Sequence, residues 1–246
     1  MSEVINDLLG KPGLKIVQDF EMFNFSLDSI ILANFVSVKT KDKLICDLGT
    51  GNAPIPLYLS LNTDAKIVGI EIQKKSYDLA IKSVKINNKG EQIEIINDDI
   101  KNASQILGEG VFDVVTSNPP FFKYKPGISN VNKNDEKTIA RHEVLITLDE
   151  IVKEASVLLK NGGTFAMVHR PDRLIDIIVA LRKYHLEPKR LRFVYPKENT
   201  EANHILIEAR KNGLEGGLKL LPPLIIHTFD NKHTEEVRRI YNNEKE

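Results

Sequence analysis

Leu44-Ile45-Cys46-Asp47-Leu48-Gly49-Thr50-Gly51-Asn52-Ala53-Pro54 is the stretch that decides the fold. Its first five residues make a short apolar strand, two glycines follow directly, and Pro54 suits the first turn of a helix running to Ser60. Glycine accepts positive φ and carries no Cβ, so backbone N–H groups between the strand and the helix can approach a ligand closely. Downstream, Ile67-Val68-Gly69-Ile70-Glu71 reads as a second strand ending in a carboxylate 20 residues past Gly51. That spacing is the nucleotide-cofactor pattern, with the acid placed to hold both ribose hydroxyls. A dinucleotide site would want a third glycine where Pro54 stands, which argues against an oxidoreductase.

Working outward, the pattern predicts a helix over 74–88, a strand over 93–97 and the acidic corner Asp98-Asp99-Ile100. A helix over 148–159 follows, led by Thr147, and Lys160-Asn161-Gly162-Gly163 reads as a C-cap and turn before a strand at 164–169. A helix near 172–185 and strands at 190–195 and 204–209 complete the alternation, which indicates an α/β fold: a mostly parallel sheet with helices on both faces. Before the first strand, residues 14–23 alternate loosely as a small hairpin. Ser26 looks like the N-cap of a helix burying Leu27, Ile30, Ile31 and Phe35 along one face. Asp28 and Ser29 lie in that helix's first turn, where Asp28 can reach a cofactor. In the tail, residues 220–227 are extended and apolar, and Thr234 caps a terminal helix. The expected organisation is one catalytic domain, 41–246, with the hairpin and helix of 1–40 packed on it.

Val111-Phe112-Asp113-Val114-Val115 is β-branched and aromatic, so it reads as a buried strand. It delivers Thr116-Ser117-Asn118-Pro119-Pro120-Phe121-Phe122 to its C-terminal edge, where open α/β sheets keep their ligands. The prolines push Asn118 and Pro119 into extended conformations, which leaves the Asn118 side-chain oxygen and the Pro119 carbonyl as a rigid pair of acceptors. An exocyclic or amide nitrogen is a poor nucleophile because its lone pair is delocalised. Two acceptors can take both its N–H hydrogens and turn the lone pair toward a methyl donor. Phe121 adds an apolar face for a planar base. Taken alone, Asn-Pro-Pro-Phe reads first as a turn after a strand; the glycine loop upstream is what lifts the chemical reading.

At 246 residues with 41% hydrophobic content, the chain can bury one sizeable core. Lys+Arg and Asp+Glu are 34 each, so there is no global basic field and nucleic acid would be held locally. Two stretches supply such charge, Lys123 to Arg141 beside the proposed tip and Arg182 to Lys197, expected to flank the same sheet edge. Cys46 reads as a small core residue. The N-terminus has no basic leader and no apolar run approaches membrane length, which leads to the expectation of a soluble cytoplasmic protein.

Asp47, Gly49, Gly51, Glu71 and Asp99 at the ends of three successive strands, with Asn-Pro-Pro-Phe at the end of a fourth, resemble a class I S-adenosylmethionine-dependent methyltransferase. From Phe25-Ser26-Leu27-Asp28-Ser29 to Pro222-Pro223-Leu224-Ile225-Ile226, the chain is most similar to the tRNA adenine-N6 methyltransferases that modify a valine tRNA next to the anticodon. The resemblance implies a Rossmann-like, seven-stranded sheet whose last strand is antiparallel. It also implies S-adenosyl-L-methionine as cofactor, with Asp47 and the backbone of Gly49 and Gly51 along its methionine part, and Asp28 and Thr50 among its further contacts. Glu71 would lie on the ribose, Ile72 and Ile100 against the adenine, Asp99 on the adenine amino group, and Asn118 beside the methyl. It makes Asn118, Pro119, Pro120 and Phe121 the catalytic motif, and Phe121, Phe122, Lys123, Arg141 and His142 contacts for an RNA substrate, most plausibly tRNA. No metal is expected, since the leaving group is already cationic. Ala53 stands where that family usually has a third glycine. Guanine N2 of ribosomal RNA and a protein glutamine amide use the same motif and stay open as acceptors, as does a cofactor-binding RNA module without catalysis.

Overall fold

The computed structural model describes residues 3–8, 13–19, 27–121 and 145–244. In chain order the elements are β1 (Glu3–Asp7), β2 (Lys15–Asp19), α1 (Leu27–Phe35), β3 (Leu44–Leu48), α2 (Pro54–Leu59), β4 (Lys66–Ile70), α3 (Lys74–Ile86) and β5 (Ile93–Ile96). Then come α4 (Ala103–Leu107), β6 (Phe112–Ser117), α5 (Leu148–Leu158), β7 (Leu159–His169), α6 (Leu174–Lys183), β8 (Leu186–Tyr195), β9 (His204–Lys211), β10 (Lys219–Leu220), β11 (Leu224–Ile225) and α7 (Glu235–Tyr241).

Side chains of a strand alternate between faces, so an apolar strand buried on both sides feeds two cores at once. In β3, Ile45 joins a core completed by Leu32 of α1, Leu57 of α2, Ala80 of α3 and Val237 of α7. Cys46 and Leu48 join the opposite core, with Ala103 of α4, Ile151 of α5 and Leu181 of α6. Seven strands lie in the order β5-β4-β3-β6-β7-β9-β8. Five pair in parallel from β5 to β7, while β9 is antiparallel to both β7 and β8, so the last of the seven is the reversed one. The sheet has nine strands rather than seven, because β10 and β11 add short parallel rungs to β8. Pro222 and Pro223 separate these two rungs; lacking N–H donors, they cannot continue the ladder.

Three expectations need correction. Lys15–Asp19 pairs back with Glu3–Asp7 rather than forming a hairpin within 14–23, and residues 20–26, including Ser26, lie outside the described residues. This hairpin docks on α3 through side chains that stand in for a strand: the Ser83 hydroxyl accepts from Val17 N–H, and Asn87 exchanges two hydrogen bonds with the Lys15 backbone. Helix α1 is not one-faced, because α2, α7 and β7 enclose it; Leu32 and Ala33 are as buried as Ile30 and Ile31. Third, Lys160 to Gly163 do not form a turn. Leu159 is already extended and pairs with Phe112, while Thr164 pairs with Val114, so the residues between bulge out of the ladder. Gly162 sits there at φ +75°. The tail, whose role the sequence leaves open, is core: Thr234 caps α7 as expected, Val237 and Ile240 of α7 are buried, and the Tyr58 hydroxyl donates to Ile240 O at 3.0 Å.

The chain steps outward from β3 through β4 to β5, then returns to place β6 on the other side of β3. This reversal opens a crevice at the carboxyl ends of β3 and β6.

Candidate functional site

Three strand ends meet at that crevice. After β3, Gly49 and Gly51 take φ of +74° and +57°, which turns the chain onto β4. The expectation that their N–H groups face a ligand is not met. Gly49 N and Thr50 N donate to Ile70 O at 3.0 and 2.9 Å, and Gly51 N donates to Glu71 Oε2 at 2.9 Å. What the glycines offer a ligand is a surface without Cβ atoms. Beneath the loop, a Cβ on Gly69 would stand 2.8 Å from Thr50 Cγ2, so this mid-strand glycine is required by the close approach of Thr50. Ala53 holds a left-handed conformation, φ 69° and ψ 37°, although it has a Cβ.

Asp47 is fully buried. Its Oδ1 accepts from the Thr116 hydroxyl at 2.7 Å, and its Oδ2 has no hydrogen-bond partner among the described residues. Burial pushes its carboxyl up to about 6; the Thr116 hydroxyl, and the Thr50 hydroxyl standing near it, oppose the rise. Glu71 is nearly as buried, with Oε2 taken by Gly51 N–H and Oε1 by Gln73 N–H at 2.8 Å. Burial raises its carboxyl above the ordinary value, the two N–H groups oppose this, and the charge of Asp47 adds to it. Two desolvated carboxylates side by side call for positive charge and hydroxyl donors.

Around Glu71 the expected adenine contacts divide. Ile72 is an exposed isoleucine next to Glu71, and Ile100 is buried with its Cδ1 3.7 Å from where a Gly49 Cβ would stand. Asp99 Oδ1 accepts from Lys101 N at 3.0 Å, and its Oδ2 lies 3.3 Å from Lys101 Nζ, so it caps a short 3-10 turn. Asp98 caps the same turn through Asn102 Nδ2 at 2.8 Å.

β6 is tied to β3 by its own hydroxyls, with Ser117 Oγ donating to Leu48 O at 2.9 Å. Asn118 follows, half-buried, and its Nδ2 donates to Ser29 Oγ of α1 at 3.0 Å. Pro119 is buried, whereas Pro120 and Phe121 are partly exposed. The Phe121 ring packs against two histidines, His169 at 5.4 Å and His204 at 5.3 Å between centroids, both tilted. His204 Nδ1 lies 3.5 Å from Asp28 Oδ1, so Asp28 stands beside this tip. His169 Nδ1 accepts from Arg170 N–H at 2.8 Å, and burial, helped by Arg173, pushes its pKa down to about 4. His169 is therefore a neutral ring at physiological pH.

Sequence reasoning missed Gly69, His169 and His204 and gave Ser29 no role. His169 closes β7 and His204 opens β9, and the antiparallel pairing of those two strands brings both to one edge. Phe122, Lys123, Arg141 and His142, with the basic stretch that runs from Lys123 to Arg141, lie outside the described residues. The second basic stretch divides: its C-terminal part, with Arg192 and Lys197, lies toward the edge that carries His204, since Val194 pairs with His204, while its first part does not. β8 runs parallel to β7 and starts beside the beginning of β7, which puts Arg182, Lys183 and Lys189 at the opposite edge. Arg182 pairs with Glu187 at 3.0 Å, Lys183 with Asp149 at 2.8 Å and Arg192 with Glu236 at 2.6 Å, while Arg190 binds Glu208 at 3.0 Å. Lys189 donates to the Leu214 and Gly216 carbonyls.

Comparison with known proteins bears on this arrangement. The tRNA1(Val) (adenine(37)-N6)-methyltransferase of Porphyromonas gingivalis is 33% identical over 168 residues, which span 67% of this chain and 64% of the relative. The protein of the same name from Bacteroides thetaiotaomicron is 28% identical over 219 residues, 87% of this chain and 88% of that one. Among solved structures, a predicted O-methyltransferase from Agrobacterium tumefaciens superposes with a TM-score of 0.69 at 20% identity, covering 88% of this chain and 96% of its own, which speaks to the fold alone. Residues 39–210 match the family described as methyltransferase domain, so the chain belongs to that family.

Proposed function

We propose that this protein methylates adenine N6 in tRNA, with S-adenosyl-L-methionine as methyl donor. The observation that carries the reading is the placement of Asn118-Pro119 at the switch point of the sheet, next to the buried pair Asp47 and Glu71. The names borne by the two bacterial relatives favour adenine in tRNA over guanine N2 in ribosomal RNA or a glutamine amide.

The residues present fit the cofactor. Asp47 has a buried oxygen lacking a donor among the described residues, and each Glu71 oxygen, already holding one N–H, keeps a lone pair for a ribose hydroxyl. Asp47, Gly49, Thr50 and Gly51 would line the methionine part, Ile72 and Ile100 the adenine. Asp99 would accept from the adenine amino group with the lone pairs that Lys101 leaves. Bound there, S-adenosylmethionine supplies an electrophilic methyl group on a cationic sulfur. The chain's own part is to grip the acceptor: Asn118 Oδ1 and Pro119 C=O each take one N–H of the amine, holding its lone pair out of the ring plane. Phe121, stiffened by His169 and His204, gives the splayed base a face to stack on. Phe122, Lys123, Arg141 and His142 complete the RNA side in this proposal, as does a division into residues 1–40 and a methyltransferase domain over 41–246.

No helix among the described residues is long and apolar enough to cross a membrane, and a tRNA substrate places the work in the cytoplasm. The test is Asn118→Ala. It should bind S-adenosylhomocysteine in calorimetry as the parent does while losing roughly a hundredfold or more in turnover, the scale of removing an oriented acceptor. Unchanged methylation by that variant would remove the mechanism, and cofactor binding without turnover in the parent would leave a non-catalytic RNA module.

A further inference from the structure

We infer that Ser29 is a positioning residue whose hydroxyl sets which way the Asn118 side-chain amide faces. The inference rests on the proposed role of Asn118. Ser29 lies in α1 between residues that the core holds on every side, and it is itself 5% exposed. A polar group so enclosed needs a partner, and among the described residues Asn118 Nδ2, 89 residues away, fills that role at 3.0 Å.

An amide has two unlike ends, and only the oxygen end helps a reaction on an amine. With Nδ2 given to Ser29 Oγ, Oδ1 is turned away from α1 and stays available to accept a substrate N–H. In the flipped amide the NH2 would meet the N–H groups of the incoming amine, donor against donor, and the nitrogen would not be gripped. Neither partner can drift to relieve the constraint. α1 is wedged among α2, α7 and β7, while Asn118 is held between Ser117, tied to β3, and the buried Pro119. The helix thus reaches across the fold to orient a group at the end of a strand.

The experiment uses an unmodified valine tRNA transcript and methyl-labelled S-adenosylmethionine. Ser29→Ala should lower kcat by about tenfold or more, the scale of one oriented hydrogen bond in a buried site, with KM for the transcript and affinity for S-adenosylhomocysteine within about twofold. Ser29→Thr, which keeps the hydroxyl, should recover kcat to within about threefold of the parent. In an Asn118→Asp background, a carboxylate presents an oxygen whichever way it lies, so adding Ser29→Ala should cost no more than about twofold. The inference is overturned if Ser29→Ala leaves kcat unchanged, if threonine is no better than alanine, or if the loss is as large in the Asn118→Asp background. Full activity of Asn118→Ala would instead sink the reading on which it rests.

Discussion

Replacing Asp47 with asparagine isolates the cost of placing a bare carboxylate under the glycine loop. Asp47 is fully buried, and that burial lifts its carboxyl from an ordinary 3.8 to about 6. At about 1.36 kcal/mol per pH unit the difference amounts to about 3 kcal/mol. The sign follows from which state holds the proton more tightly. Because the folded value is the higher one, the stabilisation is complete below pH 3.8 and is lost as pH rises through about 6. Asparagine keeps an oxygen for the Thr116 hydroxyl but never ionises, so it escapes this loss. Urea unfolding of parent and variant without cofactor at pH 4 and pH 7 should therefore show the variant gaining, relative to the parent, most of that ~3 kcal/mol between the two pH values. Groups with shifts of the opposite sign, such as Asp149 held low by the hydrogen bond from Lys183 and Glu187 by that from Arg182, are common to both proteins and cancel. Relief of Glu71 from the neighbouring charge works in the same direction as the main effect. A stability difference that does not move with pH would refute the reasoning.

Two further outcomes concern the scaffold around the site. Ala53→Gly removes a Cβ from a residue at φ 69°, and the stability read from thermal melts should change by less than about 0.5 kcal/mol, since relief of about 1–2 kcal/mol of left-handed strain is offset by about 0.4–1 kcal/mol of chain entropy and about 0.8 kcal/mol for a methyl that is fully buried. A loss above about 1 kcal/mol would mean that the loop holds the Cβ without strain. Glu208→Ala should lose about 2–3 kcal/mol in denaturant titration, because it strips the buried acceptor from both Arg190 at 3.0 Å and the Ser37 N–H at 2.8 Å. A loss below about 0.5 kcal/mol would show that this tie between α1 and the β8–β9 pair holds nothing.

The layered α/β plan was legible because its strands are short, β-branched and separated by amphipathic helices. The acid after β4 was legible because it sits at a fixed distance from the glycine pair. What escaped depended on pairing between distant strands. His169 and His204 meet Phe121 only because β9 runs against β7, and the spacing of histidines in sequence carries no such information. Gly162-Gly163 looked like a helix stop because glycine pairs usually are. Here Leu159 pairs with Phe112 at once, and the glycines serve a bulge instead. The basic run from 182 to 197 suggested an RNA track on composition alone, yet its charges mostly answer acids or carbonyls within the fold. Ser29 was visible as a polar letter in an apolar helix, but its partner in β6 could be known only from how α1 crosses the sheet.

The measurement closest to the central claim is nucleoside mass spectrometry on RNA from cells with and without the protein, with the tRNA and ribosomal fractions digested separately. The account predicts that N6-methyladenosine disappears from the tRNA fraction when the protein is absent and returns with the parent sequence but not with Asn118→Ala. Retention of that nucleoside in tRNA, together with loss of N2-methylguanosine from ribosomal RNA, would contradict it.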